Sequence, residues 1–127
     1  MKHSEKETEI EKRVRAFAVR VFDAMGWGEM KITRFKVGNT MQWRGHCYGR
    51  YLDGKLYDIY VSISNNAILH PTEKRFWDSV VHELCHAKLA LDGASIPKAF
   101  GHGKAFKNVV KSVAATSKEY TYKQIMK

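Results

Sequence analysis

Two histidines four residues apart inside a helical pattern constrain this chain more than any other feature. From Thr72 to about Leu91 apolar residues recur at helical spacing, and Trp77, Val80, Val81, Leu84 and Leu91 form one stripe at 100° per residue. Thr72 stands where a helix start is expected, and Asp92-Gly93 where a stop is. His82-Glu83-Leu84-Cys85-His86 lies within that span. His82 and His86 therefore share one helical face, about 6 Å apart along the axis. That face carries Leu89 and Ala90 rather than a run of charge. A helix of this kind has to be covered on both sides, with its histidines beneath a cleft.

Two imidazoles so placed can meet one Zn²⁺ at about 2.0–2.1 Å each. Glu83, next to the first, is angled toward the open side of such an ion, where it serves as a base rather than as a ligand. A zinc site that does chemistry takes a third protein ligand and keeps one position open. The metzincin pattern would put Gly and His three and six residues after His86, but Leu89 and Asp92 stand there. A glutamate from a later helix is a poor choice, because Glu119 is the only acid after Asp92. His102 remains, in Gly101-His102-Gly103-Lys104-Ala105-Phe106, after a loop over 93–101 that can turn the chain back. Its flanking glycines permit close approach of backbone to a metal, and Phe106 can anchor the following helix in the core. Cys85 reads as a small buried hydrophobe rather than a fourth ligand. His3, His46 and His70 lack partners at ligand spacing and read as structural or surface residues.

The 127 residues suit a single domain spanning 1–127. A hydrophobic fraction of 44 %, with six Phe, six Tyr and three Trp, is enough for one packed core. Residues 5–25 read as an amphipathic helix with Ile10, Val14, Phe17, Val21 and Met25 inward, capped by Ser4 with Glu7 completing a capping box. Strands are expected over 31–37, 41–52 (bulged near Gly45 and Gly49) and 56–63, with turns at Gly38-Asn39 and Asp53-Gly54. A last helix covers about 103–117, and the tail from 120 to 127 is short and ambiguous. The expected fold is α+β: an N-terminal helix, a small three-stranded antiparallel sheet, the histidine helix, and a C-terminal helix at whose start the third histidine sits.

The net charge of +9 favours polyanionic partners, chiefly nucleic acid. From Lys98 onward there are seven lysines against the single acid Glu119, and Lys104, Lys107 and Lys111 share a helix face near His102. Arg34, Lys36, Arg44 and Arg50 interleave with Trp43, Tyr48 and Tyr51 in the sheet segment, a pattern that can stack and hold a single strand. Cys47 and Cys85 form no C-x-x-C pair, and the N-terminal Met-Lys-His-Ser-Glu-Lys-Glu contains no apolar signal region. An intracellular protein with free thiols, no membrane span and a monomeric state is expected.

His82-Glu83-x-x-His86 followed by Gly101-His102-Gly103-x-x-Phe106 resembles the SprT-like metallopeptidase family, the Spartan-related DNA–protein crosslink proteases. The likeness runs over most of the chain and is to the catalytic module alone, without the zinc ribbon or adaptor-binding tails that many members carry. It implies a zincin-like fold with one Zn²⁺ held by His82, His86 and His102, Glu83 as catalytic base, and a protein substrate attached to or bound on DNA, especially single-stranded DNA. The residues leave two other readings open: a zinc peptidase with no nucleic-acid role, and a non-catalytic zinc-stabilised DNA-binding or adaptor module. An oxyanion stabiliser is expected from the sheet, with Tyr48 or Arg50 as the guess.

Overall fold

The computed structural model describes residues 6–127. It is α+β, with eight elements in the order α1 (Glu9–Met25), β1 (Arg34–Gly38), β2 (Gly45–Leu52), β3 (Lys55–Ser64), α2 (Glu73–Leu91), α3 (Ile96–Phe100), α4 (Lys104–Thr116) and α5 (Tyr122–Met126).

Helix α1 starts later than expected. Ser4 lies outside the described residues, and the observed cap is Thr8, whose side chain accepts from the Glu11 amide while the Glu11 carboxylate takes the Thr8 amide at 2.9 Å. Glu11 also spends its second oxygen on the Val37 amide, at 2.9 Å. One buried carboxylate thus caps α1 and ties it to β1, a charge-assisted pairing that offsets its burial. Glu7, the expected partner of Ser4, instead holds Arg15 at 2.6 Å.

The sheet is mixed, not an antiparallel meander. Its order is β1-β3-β2, with β3 antiparallel to β2 and parallel to β1. Asp53 and Gly54 both have positive φ, as a two-residue hairpin turn requires, so β2 and β3 pair directly. Gly38-Asn39 does not close a second hairpin. Residues 39–44 wrap around the end of β3 instead, where Ser64 donates to the Thr40 and Arg44 carbonyls and Asn65 to that of Gly38. The cause is burial. Strand β3 turns Ile59, Val61 and Ile63 inward, all almost fully buried, and so takes the centre. Period-2 alternation marks a strand but carries no information about its partner or direction.

Helix α2 is the spine. Its buried residues occupy most of its circumference, from Phe76 to Ala90. Val80 and Leu84 join Phe22, Phe35, Ile59 and Val61 in a core between sheet, α1 and α2. Val81 and Cys85 turn the other way, into a second core with Phe106, Val110, Val113 and Ile125 from α4 and α5. The apolar stripe expected on one side is therefore split between two cores, and the strip of α2 between them carries His82, Glu83 and His86. Both cysteines are buried and free. Among the described residues no helix is long and apolar enough to cross a membrane.

Candidate metal centre

His82 and His86 project from α2, one turn apart. His102 reaches them from the three-residue link between α3 and α4. Segment 93–101 was expected to be a loop, yet five of its residues form α3, begun by Ser95 and stiffened by Pro97 in its first turn. Gly101 is needed at its end for a local reason: a Cβ there would stand 2.6 Å from the Pro97 carbonyl oxygen. A Cβ on Gly103 would meet nothing within 4 Å. Gly101 thus lets the chain leave α3 beside the Pro97 carbonyl. Phe106, fully buried, is the floor of the site: its ring stacks on His86 with centroids 4.1 Å apart and touches His82 and His102 at 4.9 and 5.0 Å.

The hydrogen bonds around the rings define their chemistry. His82 Nδ1 lies 2.8 Å from the Ile125 carbonyl oxygen, and His86 Nδ1 lies 2.8 Å from that of Ala99. A carbonyl only accepts, so each Nδ1 donates, and in the neutral ring each Nε2 is then a bare lone pair. Both lone pairs face His102 Nε2, at 3.1 and 3.2 Å. One proton on His102 can serve one of them. A cation between the three serves all, and nitrogens bound tetrahedrally at 2.0–2.1 Å stand about 3.3 Å apart. The donor set, its spacing and its carbonyl-held tautomers fit a divalent transition metal such as zinc. The three residues grade from buried His86 to exposed His102, so the site faces solvent on one side.

Glu83 is not part of that triangle. It lines an adjoining cavity of about 320 Å³ with His82, Arg44, Gly45, Arg75, Asp78 and the C-terminal residues Gln124, Ile125 and Lys127. The strand β2 backbone presses so close that a Cβ on Gly45 would lie 2.8 Å from Glu83 Oε2. Gly45 is not the expected bulge, since the register shift lies between Arg50 and Tyr51; it makes room for this carboxylate. Burial pushes the Glu83 carboxyl up to about 8 and holds the His86 imidazole down at about 4. His82 is also lowered, again by burial first. Imidazoles kept neutral to low pH are ready metal donors.

The other sequence-predicted residues lie elsewhere. Tyr48 and Arg50 do not line this cavity. Alternation along β2 puts them on the outer sheet face, so the guess that either stabilises an oxyanion is corrected. Arg44 and Arg75 are the arginines beside Glu83. The outer face carries Arg34 and Lys36 from β1, and Tyr48 and Arg50 from β2. Rings run along it from Trp43 through His46 and Tyr48 to Tyr60, with successive centroids 5.7, 5.4 and 5.1 Å apart. Tyr51 is half-buried and not in that row. Lys104, Lys107 and Lys111 are exposed on α4. His70 is buried against Ser79 at 2.8 Å, away from the metal triangle. Cys85 is fully buried and outside the triangle, as expected of a small hydrophobe.

The model of the SprT-like family matches residues 17–125. No curated protein and no solved structure gives a match.

The pH dependence of metal-free stability follows from Glu83. The unfolded chain ionises this carboxyl above about 4.5, while the fold keeps it protonated up to about 8. Its contribution is therefore complete below pH 4.5 and is lost as pH rises through 8. In chelator, Glu83→Gln should unfold at higher urea than wild type at pH 8, by on the order of 2–4 kcal/mol, and show no such advantage at pH 4. Parallel pH profiles would contradict this. The His86 term, which weakens the fold as pH falls from 6.5 toward 4, is common to both proteins and cancels.

Proposed function

The chain belongs to the SprT-like family, and on that premise we propose that it is a zinc-dependent endopeptidase acting on proteins bound or crosslinked to DNA. The observation that carries the reading is the convergence of three imidazole Nε2 atoms beside a cavity lined by a buried carboxylate. His82, His86 and His102 would hold the ion. Zinc, when bound, would supply a Lewis acid for the scissile carbonyl and lower the pKa of its water to about 7. Glu83 takes a proton from the attacking water at its carboxylate and delivers it to the leaving nitrogen. The absence of a side chain at Gly45 leaves room for the Glu83 carboxylate at the cavity wall. Arg44 and Arg75 line the same cavity and are the nearest cationic candidates to orient a peptide carbonyl. A purely structural zinc module has no use for a buried carboxylate at the cavity wall, which favours catalysis over the non-catalytic alternative.

Nucleic-acid contact is supported by the outer sheet face. The ring row Trp43, His46, Tyr48 and Tyr60, flanked by Arg34, Lys36 and Arg50, combines stacking platforms with phosphate-neutralising charge, the pairing that suits single strands. Exposed Lys104, Lys107 and Lys111 on α4 add a second basic strip close in sequence to His102. DNA held there would raise the local concentration of protein substrate at the cleft.

Two measurements test these readings separately. Glu83→Gln should lose protein cleavage by 10²-fold or more, as about expected for removal of a general base, while metal analysis still finds one zinc per chain; retained turnover would refute the assignment. Binding to a single-stranded oligonucleotide should weaken steeply with salt, with a log–log slope of about −0.7 per neutralised phosphate, and should fall further in Trp43→Ala. Absent or salt-independent binding would leave a zinc peptidase with no nucleic-acid role.

A further inference from the structure

The last described segment is built into the metal centre. Helix α5 has five residues, too few to stand alone. Thr121 and Gln124 cap its start reciprocally. The carbonyls at its other end, which have no partner inside so short a helix, are taken by donors from elsewhere in the fold. His82 Nδ1 meets the Ile125 oxygen at 2.8 Å, Arg75 Nη1 that of Gln124 at 3.4 Å, and Arg44 Nη1 that of Lys127 at 2.6 Å. The Ile125 side chain is 1 % exposed, set among Phe106, Val110 and Val113 in the second core. One residue therefore has its side chain locked in the core and its carbonyl locked on a candidate ligand.

We propose that Ile125 is a positioning residue of the metal centre, and that docking of segment 121–127 and retention of the metal are thermodynamically coupled. The inference rests on the metal-binding reading given above. The Ile125 carbonyl fixes the His82 tautomer, with the proton on Nδ1 and the lone pair on Nε2, and sets the ring plane that aims Nε2 at His102. Ala99 does the same for His86 through α3, but α3 is tied to His102 by the chain itself. Segment 121–127 follows α4 and is held on α2 and Arg44 only by its docking. Coupling is reciprocal: whatever loosens the strap weakens the site, and an occupied site tightens the strap. Outer partners of ligating imidazoles change metal affinity by roughly 10- to 100-fold.

The test compares Ile125→Ala with Val113→Ala, a somewhat smaller cavity in the same core on the far part of α4. Zinc affinity is measured by chelator competition on full-length protein, and hydrogen exchange of amides 122–127 is followed with and without zinc. Ile125→Ala should lose affinity 10-fold or more and shift the Co²⁺ ligand-field spectrum, while Val113→Ala lowers thermal stability yet keeps wild-type affinity. Zinc should slow exchange in 122–127 of the wild type. Equal affinities in the two variants, or exchange in 122–127 indifferent to zinc, would overturn the proposal. Should Ile125→Ala fail to fold, Ile125→Val against Val113→Ala makes the same comparison, with the larger affinity loss expected in the valine variant. Wild-type protein that binds no zinc at all would refute the metal reading instead, so the two failures are distinguishable.

Discussion

Three imidazole nitrogens aimed at one point, 3.1 and 3.2 Å apart, are the constraint on which the rest of the structure depends. A proton on His102 can be shared with only one of the other two rings, whereas a cation at their common point serves all three. The arrangement persists because each ring is fixed from behind. Two are held by main-chain carbonyls, and all three rest on Phe106. Both carbonyls belong to helices of five residues packed around α2, so those small elements serve the site as well as the core.

The double burial of α2 explains the electrostatics. With one core against the sheet and another against α4 and α5, the strip between them is dry enough to hold His86 neutral and to keep Glu83 protonated to about pH 8 in the absence of a cation. A divalent ion beside that carboxyl would favour its charged form, which is the state a base requires. Gly45 completes the arrangement, because a side chain at that position would occupy the space of the carboxylate.

Much of this was legible in the sequence, and the parts that were not share physical causes. Helix α2 was readable to within a residue at its start, because Thr72, the apolar period and Asp92-Gly93 agree. The histidine spacing and Gly101-His102-Gly103 point in the sequence to all three imidazoles. Strand existence was readable, but the parallel pairing of β1 with β3 was not, since alternation is the same in either direction. Helices α3 and α5 are too short for a 3.6-residue period to register. Their signals were caps: Ser95 with Pro97, and Thr121 with Gln124. Thr8 with Glu11 is as good a capping box in sequence as Ser4 with Glu7, and it is the one that starts α1. The contacts of Ile125 and Ala99 with the histidines run through backbone atoms, which no residue type advertises.

X-ray absorption at the zinc edge of the zinc-loaded protein tests the central claim most directly. Three imidazoles and one further light atom should give a shell of nitrogen and oxygen at about 2.0–2.1 Å, with imidazole multiple scattering for three rings. A sulfur shell at about 2.3 Å would place Cys85 or Cys47 on the metal and close the site. That result, or scattering from only two rings, would contradict the account given for His82, His86 and His102.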